Sequence, residues 1–306
     1  MRRVGIALLG ITALCALLAT WLAPNPPDRR FPDLLYAPPT AVHVFDDHGA
    51  APHAHAWRLV SRIERRFEED ATQRGPLLLL GADAYGRDSF SRLLHGARAT
   101  LALALCATLA ATLLGALVGG IAGYAGGWAD AVLSRVSEFV LVLPAVYVAL
   151  ALRAVMPLVL PAADVFALLL AIFALLGWPI VARGVRAIVA SEREREYAFA
   201  ARAAGASAMR VLLRHLVPAA GGYLRTQATL LLPAFILAEA TLSYVGLGFP
   251  DTTPTWGTML QQEASNVALL GDAPWSLSPV AAIFLVVLGV NLVVQGTGRA
   301  PVQLEP

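Results

Sequence analysis

The sequence contains no lysine, because all 23 basic residues are arginine. A Walker A phosphate loop needs its lysine to reach the β- and γ-phosphates, so any ATP chemistry must be supplied by another chain. Lysine-based covalent and acid–base catalysis are excluded for the same reason. The motifs HExxH, GxSxG and CxxC are absent too. We therefore expect a non-catalytic protein with no metal or other cofactor of its own.

Charge and cysteine are also scarce. Only 14% of the 306 residues are charged and 58% are hydrophobic, whereas soluble domains carry about 25% charged residues. This composition, with a mean hydropathy of +0.65, indicates an integral membrane protein with several spans. Cys15 and Cys106 lie in apolar runs and are interpreted as small packed hydrophobic residues. The net charge of +2 is too small to favour nucleic-acid binding.

The first apolar run extends from Val4 to Ala23, behind Arg2 and Arg3. About 20 residues are enough to cross roughly 30 Å of hydrocarbon, which favours a transmembrane helix over residues 1–23. The alternative is a cleaved signal peptide, since the run has a basic start and a small-residue end.

Residues 24–98 have the composition of a water-exposed loop, with ten arginines and ten acidic residues. Within it, the spacing of Leu59, Ile63 and Phe67 predicts a short amphipathic helix from Trp57 to Asp70. A histidine and aspartate cluster could ligate a metal, but its spacing matches no closed zinc pattern, so we favour a solvated loop. The cluster comprises Asp46, Asp47, His48, His53 and His55.

Five further spans are predicted, and loop charges orient them. They cover Thr100 to Tyr124, Ala131 to Met156, Ala162 to Val181, Tyr223 to Leu247 and Ser278 to Val294. Short arginine-rich loops stay in the cytoplasm, so the loop after Ser191 is expected inside and residues 24–98 outside. The expected architecture is all-α, with six transmembrane helices and cytoplasmic termini. Residues 99–297 would be a five-helix core and residues 298–306 a cytoplasmic tail.

Four glycines recur at every fourth position, at Gly115, Gly119, Gly123 and Gly127. In an apolar helix this spacing places them on one face, where small residues let another helix approach closely. Helix packing is therefore favoured over the alternative, a phosphate-binding role.

The segment 191–218 lies between two apolar spans and carries its own helix signals. Ser191 and Glu194 have the spacing of a capping box, Gly205 follows an alanine-rich run, and Ser207 can cap a second helix. The segment predicts helix, glycine turn, helix. Because of these internal start and stop signals, we favour a rigid element that docks in a partner's groove over the alternative, a solvated connecting loop.

This segment resembles the cytoplasmic loop signature of ABC-importer permeases. The signature residues are the pair Ala200-Ala201, Gly205 after three further residues, and the ending Leu216-Val217-Pro218. The neighbouring Glu196-Tyr197, Ala201-Arg202-Ala203 and Arg214-His215 are similar to the oligopeptide and dipeptide branch. Three further segments also resemble this branch: residues 81–98, Arg135 with Glu138 and Pro144, and residues 239–257.

The sequence departs from the family pattern at three places. Phe199 stands where the general signature has glutamate, although the peptide branch often lacks that residue. The C-terminus reads Gln295-Gly296-Thr297-Gly298-Arg299 instead of the common family ending. The loop from Pro24 to Leu80 is longer than in simple members.

The resemblance implies the type I permease fold and a transmembrane permease subunit of an ATP-driven importer for peptides or similar small solutes. It also implies an inner-membrane location, a second homologous permease completing a heterodimer, two cytoplasmic ATPases that bind ATP and Mg²⁺, an external binding protein and surrounding lipid. The alternatives are a non-peptide importer permease, such as one for nickel, and a secondary, ion-gradient-driven transporter. The implied ATPase-coupling residues are Glu196, Tyr197, Ala200, Ala201, Arg202, Gly205, Ala206, Ser207, Arg214, His215 and Pro218.

Glu239, Pro233 and Tyr244 are candidate residues of a translocation pathway. Glu239 lies in an apolar span, where a carboxylate is costly and faces the bundle interior or water. Its alternative role is structural, as a partner of polar groups on a neighbouring helix, and packing is the alternative for Pro233 and Tyr244. Arg135 and Glu138, one turn apart, are expected to form a pair at the membrane boundary.

Overall fold

The computed structural model of the chain describes residues 1–41, 55–61, 66–144, 147–148, 150–151, 160–264 and 273–295. These residues are mostly helical, as predicted. The helices are α1 (Arg2–Leu17), α2 (Ala19–Leu22), α3 (Ser89–Ala125), α4 (Gly127–Val142), α5 (Ala162–Glu192), α6 (Glu196–Ala203), α7 (Ala208–Val211), α8 (Val217–Ala219), α9 (Gly221–Tyr244), α10 (Trp256–Ala264) and α11 (Ser278–Gln295). A π-helical turn, Leu212–Leu216, joins α7 to α8, and a 3₁₀ turn, Pro274–Leu277, precedes α11.

Four helices within the described ranges are long and apolar enough to cross a membrane. They are Ser89–Ala125, Ala162–Glu192, Gly221–Tyr244 and Pro274–Gln295. In place of the first predicted span, α1 has 16 residues and is followed by the short α2. The third predicted span begins with α4 and continues into residues that lie partly outside the described ranges.

The described residues divide into two compact units. The first unit comprises Met1–Leu101 and Glu239–Pro306, and the second comprises Ala102–Ala238. In the first unit α1 packs on α11. Gly5 and Gly289 lie where the two helices meet, and a Cβ at Gly5 would overlap the Gly289 carbonyl oxygen and the Leu292 Cβ. A side chain at Gly5 would therefore push the helices apart.

A two-stranded antiparallel sheet occupies the place of the expected amphipathic helix from Trp57 to Asp70, so that prediction is wrong. The strands are β1 (His55–Ser61) and β2 (Arg66–Arg74), and Leu59 pairs with Phe67 across the sheet. Trp57 and Phe67 meet edge to face, with ring centroids 6.4 Å apart. Both rings pack on a cluster formed by Leu34, Ala37, Leu78 and Ala82. Burial of the two aromatic rings on this cluster favours the hairpin over an isolated helix.

A buried polar network joins the residues before and within the first turn of α3 to α10. The Arg87 Nε donates to the Asp83 Oδ2 at 2.7 Å, and the Arg87 Nη2 donates to the Gln262 Oε1 at 2.6 Å. Arg92, which is fully buried, donates to the same Gln262 oxygen at 3.2 Å. Hydrogen bonds to charged groups in a low-dielectric interior are strong, so this network fixes α10 within the first unit.

In the second unit the predicted glycine stripe brings α3 against α5. A Cβ at Gly115 would meet Trp178 and Val181, one at Gly119 would meet Ala182, and one at Gly123 would meet Arg186 and Val189. These three glycines confirm the packing role. Gly127 does not belong to the stripe, because α3 ends at Ala125 and Gly127 has open space around it. The chain turns at Gly126 and at Gly127, the first residue of α4, with φ of 65° and 54°.

Candidate functional site

The segment 191–218 folds as two short helices joined at Gly205. The first, α6, runs from Glu196 to Ala203, and Gly205 has a φ of 81°. The Gly205 amide donates to the Arg202 carbonyl at 3.0 Å, and the Ala206 amide donates to the Ala201 carbonyl at 3.1 Å. These two bonds are those of a Schellman motif, which needs a left-handed residue at the glycine position. The predicted glycine turn is therefore confirmed.

Ser207 starts the second helix as predicted. Its Oγ accepts a hydrogen bond from the Arg210 amide at 3.4 Å, at the beginning of α7. The expected capping box at Ser191 and Glu194 is wrong, because α5 continues through Ser191 to Glu192. Arg195 is the residue that precedes α6, and its side chain makes no capping bond. The long contact of α5 with α3 extends the helix past the local start signal.

The part of the segment that follows Gly205 contains a π-helical turn. It covers Leu212–Leu216, between α7 and α8, with Leu212 and Leu216 buried and Arg214 and His215 exposed. Pro218 lies two residues after this turn and has no amide hydrogen, so the carbonyl of Arg214, four residues earlier, cannot take its usual α-helical partner. Backbone carbonyls in this turn therefore shift to wider spacing, and π turns of this kind are frequent at functional sites.

The helices on both sides of Gly205 present an exposed surface that mixes apolar and cationic side chains. Tyr197, Phe199, Met209 and Leu213 are large hydrophobic residues with 41%, 52%, 54% and 52% of their surface exposed. Arg202 lies over the Phe199 ring, 4.4 Å from its centroid. Ala200 is exposed and Ala201 partly buried, whereas Ala198 is fully buried and faces the protein. Exposed apolar side chains with adjacent cations form a surface suited to a protein partner.

Side-chain hydrogen bonds hold α6 to the end of α5. The Arg202 Nη2 donates to the Arg193 carbonyl at 3.0 Å, and its Nε donates to the Ala198 carbonyl at 3.2 Å. The Tyr197 hydroxyl donates to the Glu192 Oε2 at 2.8 Å. Desolvation and this carboxylate raise the pKa of Tyr197, so the phenol stays protonated and keeps donating. The sequence singled out Tyr197 and Arg202 but not these bonds.

Two further arginines connect the same region to α3 and α4. Arg186 of α5 forms a two-bond ion pair with Asp130, in the first turn of α4. The Arg193 Nη1 donates to the carbonyls of Gly123 and Tyr124 at the end of α3, at 3.3 and 3.1 Å. Sequence reasoning missed Arg193 and Asp130 as contact residues, since their partners are about 56 to 70 positions away in the chain. Arg135 and Glu138 form the predicted pair, at 3.1 Å.

A cavity of about 240 Å³ lies beside the Arg186–Asp130 pair in the second unit. Its wall combines apolar side chains of α3 and α4 with the polar groups of Ser134, Ser137, Glu138, Arg183 and Arg186. Among the described residues, no group of three or more His, Cys, Asp or Glu side chains could hold a metal ion. Asp46, Asp47, His48 and His53 lie outside the described residues, and His55 lies 3.1 Å from the Glu69 carboxylate.

The three candidate pathway residues all lie in α9 but differ in burial. Glu239 is 1% exposed, and its Oε1 accepts hydrogen bonds from Ser243 and Thr255, both at 2.8 Å. Its Oε2 accepts one from Thr100 at 3.3 Å. Tyr244 is 56% exposed and Pro233 is partly buried. Gly257 allows the close approach, because a Cβ there would lie 3.0 Å from the Glu239 Oε1.

Comparison with known proteins places these features in a family context. Residues 100–300 match the family model described as binding-protein-dependent transport system inner membrane component. The chain is 38% identical over 295 residues to the dipeptide transport system permease protein DppC of Escherichia coli, covering 96% of this chain and 85% of that protein. It is 33% identical over 293 residues to the di/tripeptide transport system permease protein DppC of Pseudomonas aeruginosa, covering 95% and 84%. A putative peptide permease protein of Brucella ovis is 37% identical over 217 residues, covering 71% and 70%.

Proposed function

Because the chain belongs to the family of binding-protein-dependent transport system inner membrane components, we propose that it is the permease subunit of an ATP-driven importer of small peptides. The chain is a transport subunit of the membrane. Its relatives at 33% and 38% identity carry the names of di/tripeptide and dipeptide permeases, which supports short peptides as the substrate. The absence of lysine supports a separate ATPase, since no Walker A loop can form.

The observation that carries the coupling role is the rigid geometry of the segment 191–218. Its glycine turn, its Ser207 cap and the Arg202 bonds fix two short helices, while Phe199, Met209 and Leu213 remain exposed. Helices that present apolar side chains dock in grooves of partner proteins. We assign this surface to a cytoplasmic ATPase, and the second permease and the external binding protein complete the importer. The arginine-rich segment then lies on the cytoplasmic side, with both termini.

The coupling residues would move with the ATPases. Closure of the ATPases on ATP would displace α6 and α7, and the permease would rock between inward-open and outward-open arrangements. Such a segment is a two-state element biased by a ligand bound to the partner. The residues assigned to this contact are those that the sequence indicated: Glu196, Tyr197, Ala200, Ala201, Arg202, Gly205, Ala206, Ser207, Arg214, His215 and Pro218.

The Gly205→Val variant tests the coupling role. A β-branched residue at a φ of 81° costs about 1–2 kcal/mol in backbone energy, but a Cβ there meets no neighbouring atom. We expect the variant to insert in the membrane at the wild-type level while uptake of a labelled dipeptide is lost. Gly222→Val, at a helical glycine with equally open space, is the control. Wild-type uptake by Gly205→Val would refute the role.

Substrate class is tested by uptake in cells that express the chain together with its second permease, ATPases and binding protein. We expect labelled dipeptide to accumulate and unlabelled di- and tripeptides to compete with it. Accumulation of Ni²⁺ without competition by peptides would instead support the nickel importer and would contradict the peptide assignment.

A further inference from the structure

Arg193 is the residue at which three elements of the second unit meet. It follows the last residue of α5, and its Nη1 donates to the Gly123 and Tyr124 carbonyls of α3, at 3.3 and 3.1 Å. Its own carbonyl accepts the bond from the Arg202 Nη2 of α6, at 3.0 Å. The ends of α3, α5 and α6 are thus joined through one side chain and one carbonyl.

The partner atoms on α3 explain why a guanidinium lies there. Carbonyls in the last turn of a helix have no intrahelical donor and form the negative end of the helix dipole. Both bonds come from the Nη1, while the Nε of the same planar guanidinium donates to the Glu194 Oε1 at 2.9 Å. A lysine ammonium is a compact point charge and matches this spread of acceptors less well. Upstream, the glycine stripe already holds α3 against α5, so Arg193 completes this contact at the end nearest to α6.

Gly126 leaves the space that the guanidinium occupies. It has a φ of 65°, and a Cβ on it would lie 2.8 Å from the Arg193 Nη1. The next residue, Gly127, has a similar φ of 54° but no atom within 4 Å of its Cβ position. The two glycines therefore have similar φ values, but only a side chain at Gly126 would meet Arg193.

We propose that Arg193 is a positioning residue that transmits movement of the docked helices α6 and α7 to α3. A displacement of α6 pulls on the Arg193 carbonyl through Arg202, and the Arg193 side chain carries the displacement to the end of α3. The nearby Arg195 differs, because its side chain is 66% exposed and lies 4.0 Å from Glu192 of the preceding turn. The inference rests on the proposed function, since it requires an ATPase that moves the segment 191–218.

The test compares transport with ATP hydrolysis in the complex purified with its ATPases and supplied with the binding protein and a labelled dipeptide. For Arg193→Ala we expect normal assembly and retained ATP hydrolysis. Uptake per ATP hydrolysed should fall about tenfold or more, because the variant loses both hydrogen bonds to the α3 carbonyls and the loss of one bond to a charged group already corresponds to about tenfold. Arg193→Lys keeps a charged donor but not the planar group that reaches the α3 carbonyls and Glu194 together, and it should give an intermediate ratio. Arg135→Ala, which removes a side chain that is 85% exposed, should keep the wild-type ratio.

A second pair of variants tests the same contact by changing the glycines at the start of α4. Gly126→Ala and Gly127→Ala introduce the same side chain at similar positive φ values, but only the first displaces the Arg193 guanidinium. We expect Gly126→Ala to lower uptake per ATP as Arg193→Ala does, and Gly127→Ala to leave the ratio unchanged.

Two results would overturn the assignment. One is a wild-type ratio of uptake to hydrolysis in Arg193→Ala. The other is a parallel loss of uptake, hydrolysis and melting temperature, which would make Arg193 a helix cap and nothing more. The wild-type complex is measured first, and its failure to use ATP for uptake would contradict the proposed function itself, independently of the variants.

Discussion

The buried carboxylate of Glu239 joins three segments of the first unit by hydrogen bonds. Its carboxylate accepts from Ser243 in its own helix, from Thr100 in α3 and from Thr255 just before α10. From sequence, an acid in an apolar span predicted either a pathway residue or a partner of polar groups. Thr100 could not be foreseen as a donor, since it lies 139 positions away, whereas Ser243 lies one helical turn from Glu239. Its surroundings in the first unit favour the structural role.

Substitution of Glu239 separates these roles. Glu239→Ala leaves three buried hydroxyls without their acceptor, at about 1–3 kcal/mol for each unsatisfied group, so we expect a strongly lowered melting temperature in detergent. Glu239→Gln keeps an oxygen for Ser243 and Thr255 and should melt much closer to the wild type. If Glu239→Gln melts normally but loses peptide uptake, Glu239 belongs to the pathway and the structural assignment is wrong.

We expect Glu263 to make the stability of the first unit depend on pH. Burial raises the pKa of its carboxyl from 4.5 to about 7, even though Ser276 and the Ala84 amide hydrogen-bond to it. The folded state therefore binds its proton more tightly than the unfolded state, and stability falls as the pH rises from about 4.5 to about 7. We expect Glu263→Gln to lose part of this dependence, so that its melting temperature exceeds that of the wild type at pH 8 more than at pH 5. An equal difference at both pH values would contradict this origin.

At the level of elements, the sequence predicted what local chemistry and spacing decide. The turn at Gly205 and the cap at Ser207 follow from residues a few positions apart, and the stripe of Gly115, Gly119 and Gly123 follows from a four-residue period. Two predictions were wrong, the amphipathic helix from Trp57 to Asp70 and the helix start at Ser191, because tertiary contacts outweighed the local sequence signals. The hairpin forms since Trp57 and Phe67 find a common apolar cluster, and α5 passes Ser191 because its packing against α3 continues.

The contact between α3 and α5 can be tested at Gly119. A Cβ there would overlap the Ala182 backbone, and overpacking of this kind costs about 1–3 kcal/mol. We expect Gly119→Ala to lower the melting temperature of the purified protein. Gly222→Ala, placed in a helix with open space around its Cβ, should keep or raise it, since alanine is the better helix former by about 1 kcal/mol. Equal melting temperatures for the two variants would contradict close packing of α3 on α5.

At the level of the whole molecule, composition and one motif predicted the class of protein, and the family match confirms it. Composition could do so because a membrane selects long apolar helices regardless of their detailed packing. The contacts that join distant segments, such as Arg87 with Gln262 and Arg193 with Gly123, depend on the folded arrangement. They are separated by 175 and 70 positions, which single-sequence spacing does not relate.

The most direct test of the account is uptake by the purified complex in liposomes. The chain is reconstituted with its second permease and ATPases, ATP is supplied on the ATPase side, and the binding protein with labelled dipeptide is supplied on the other. We predict uptake that requires hydrolysable ATP, persists when ionophores collapse all ion gradients, and is lost in Gly205→Val. Uptake driven by a proton or sodium gradient without ATP would contradict the account.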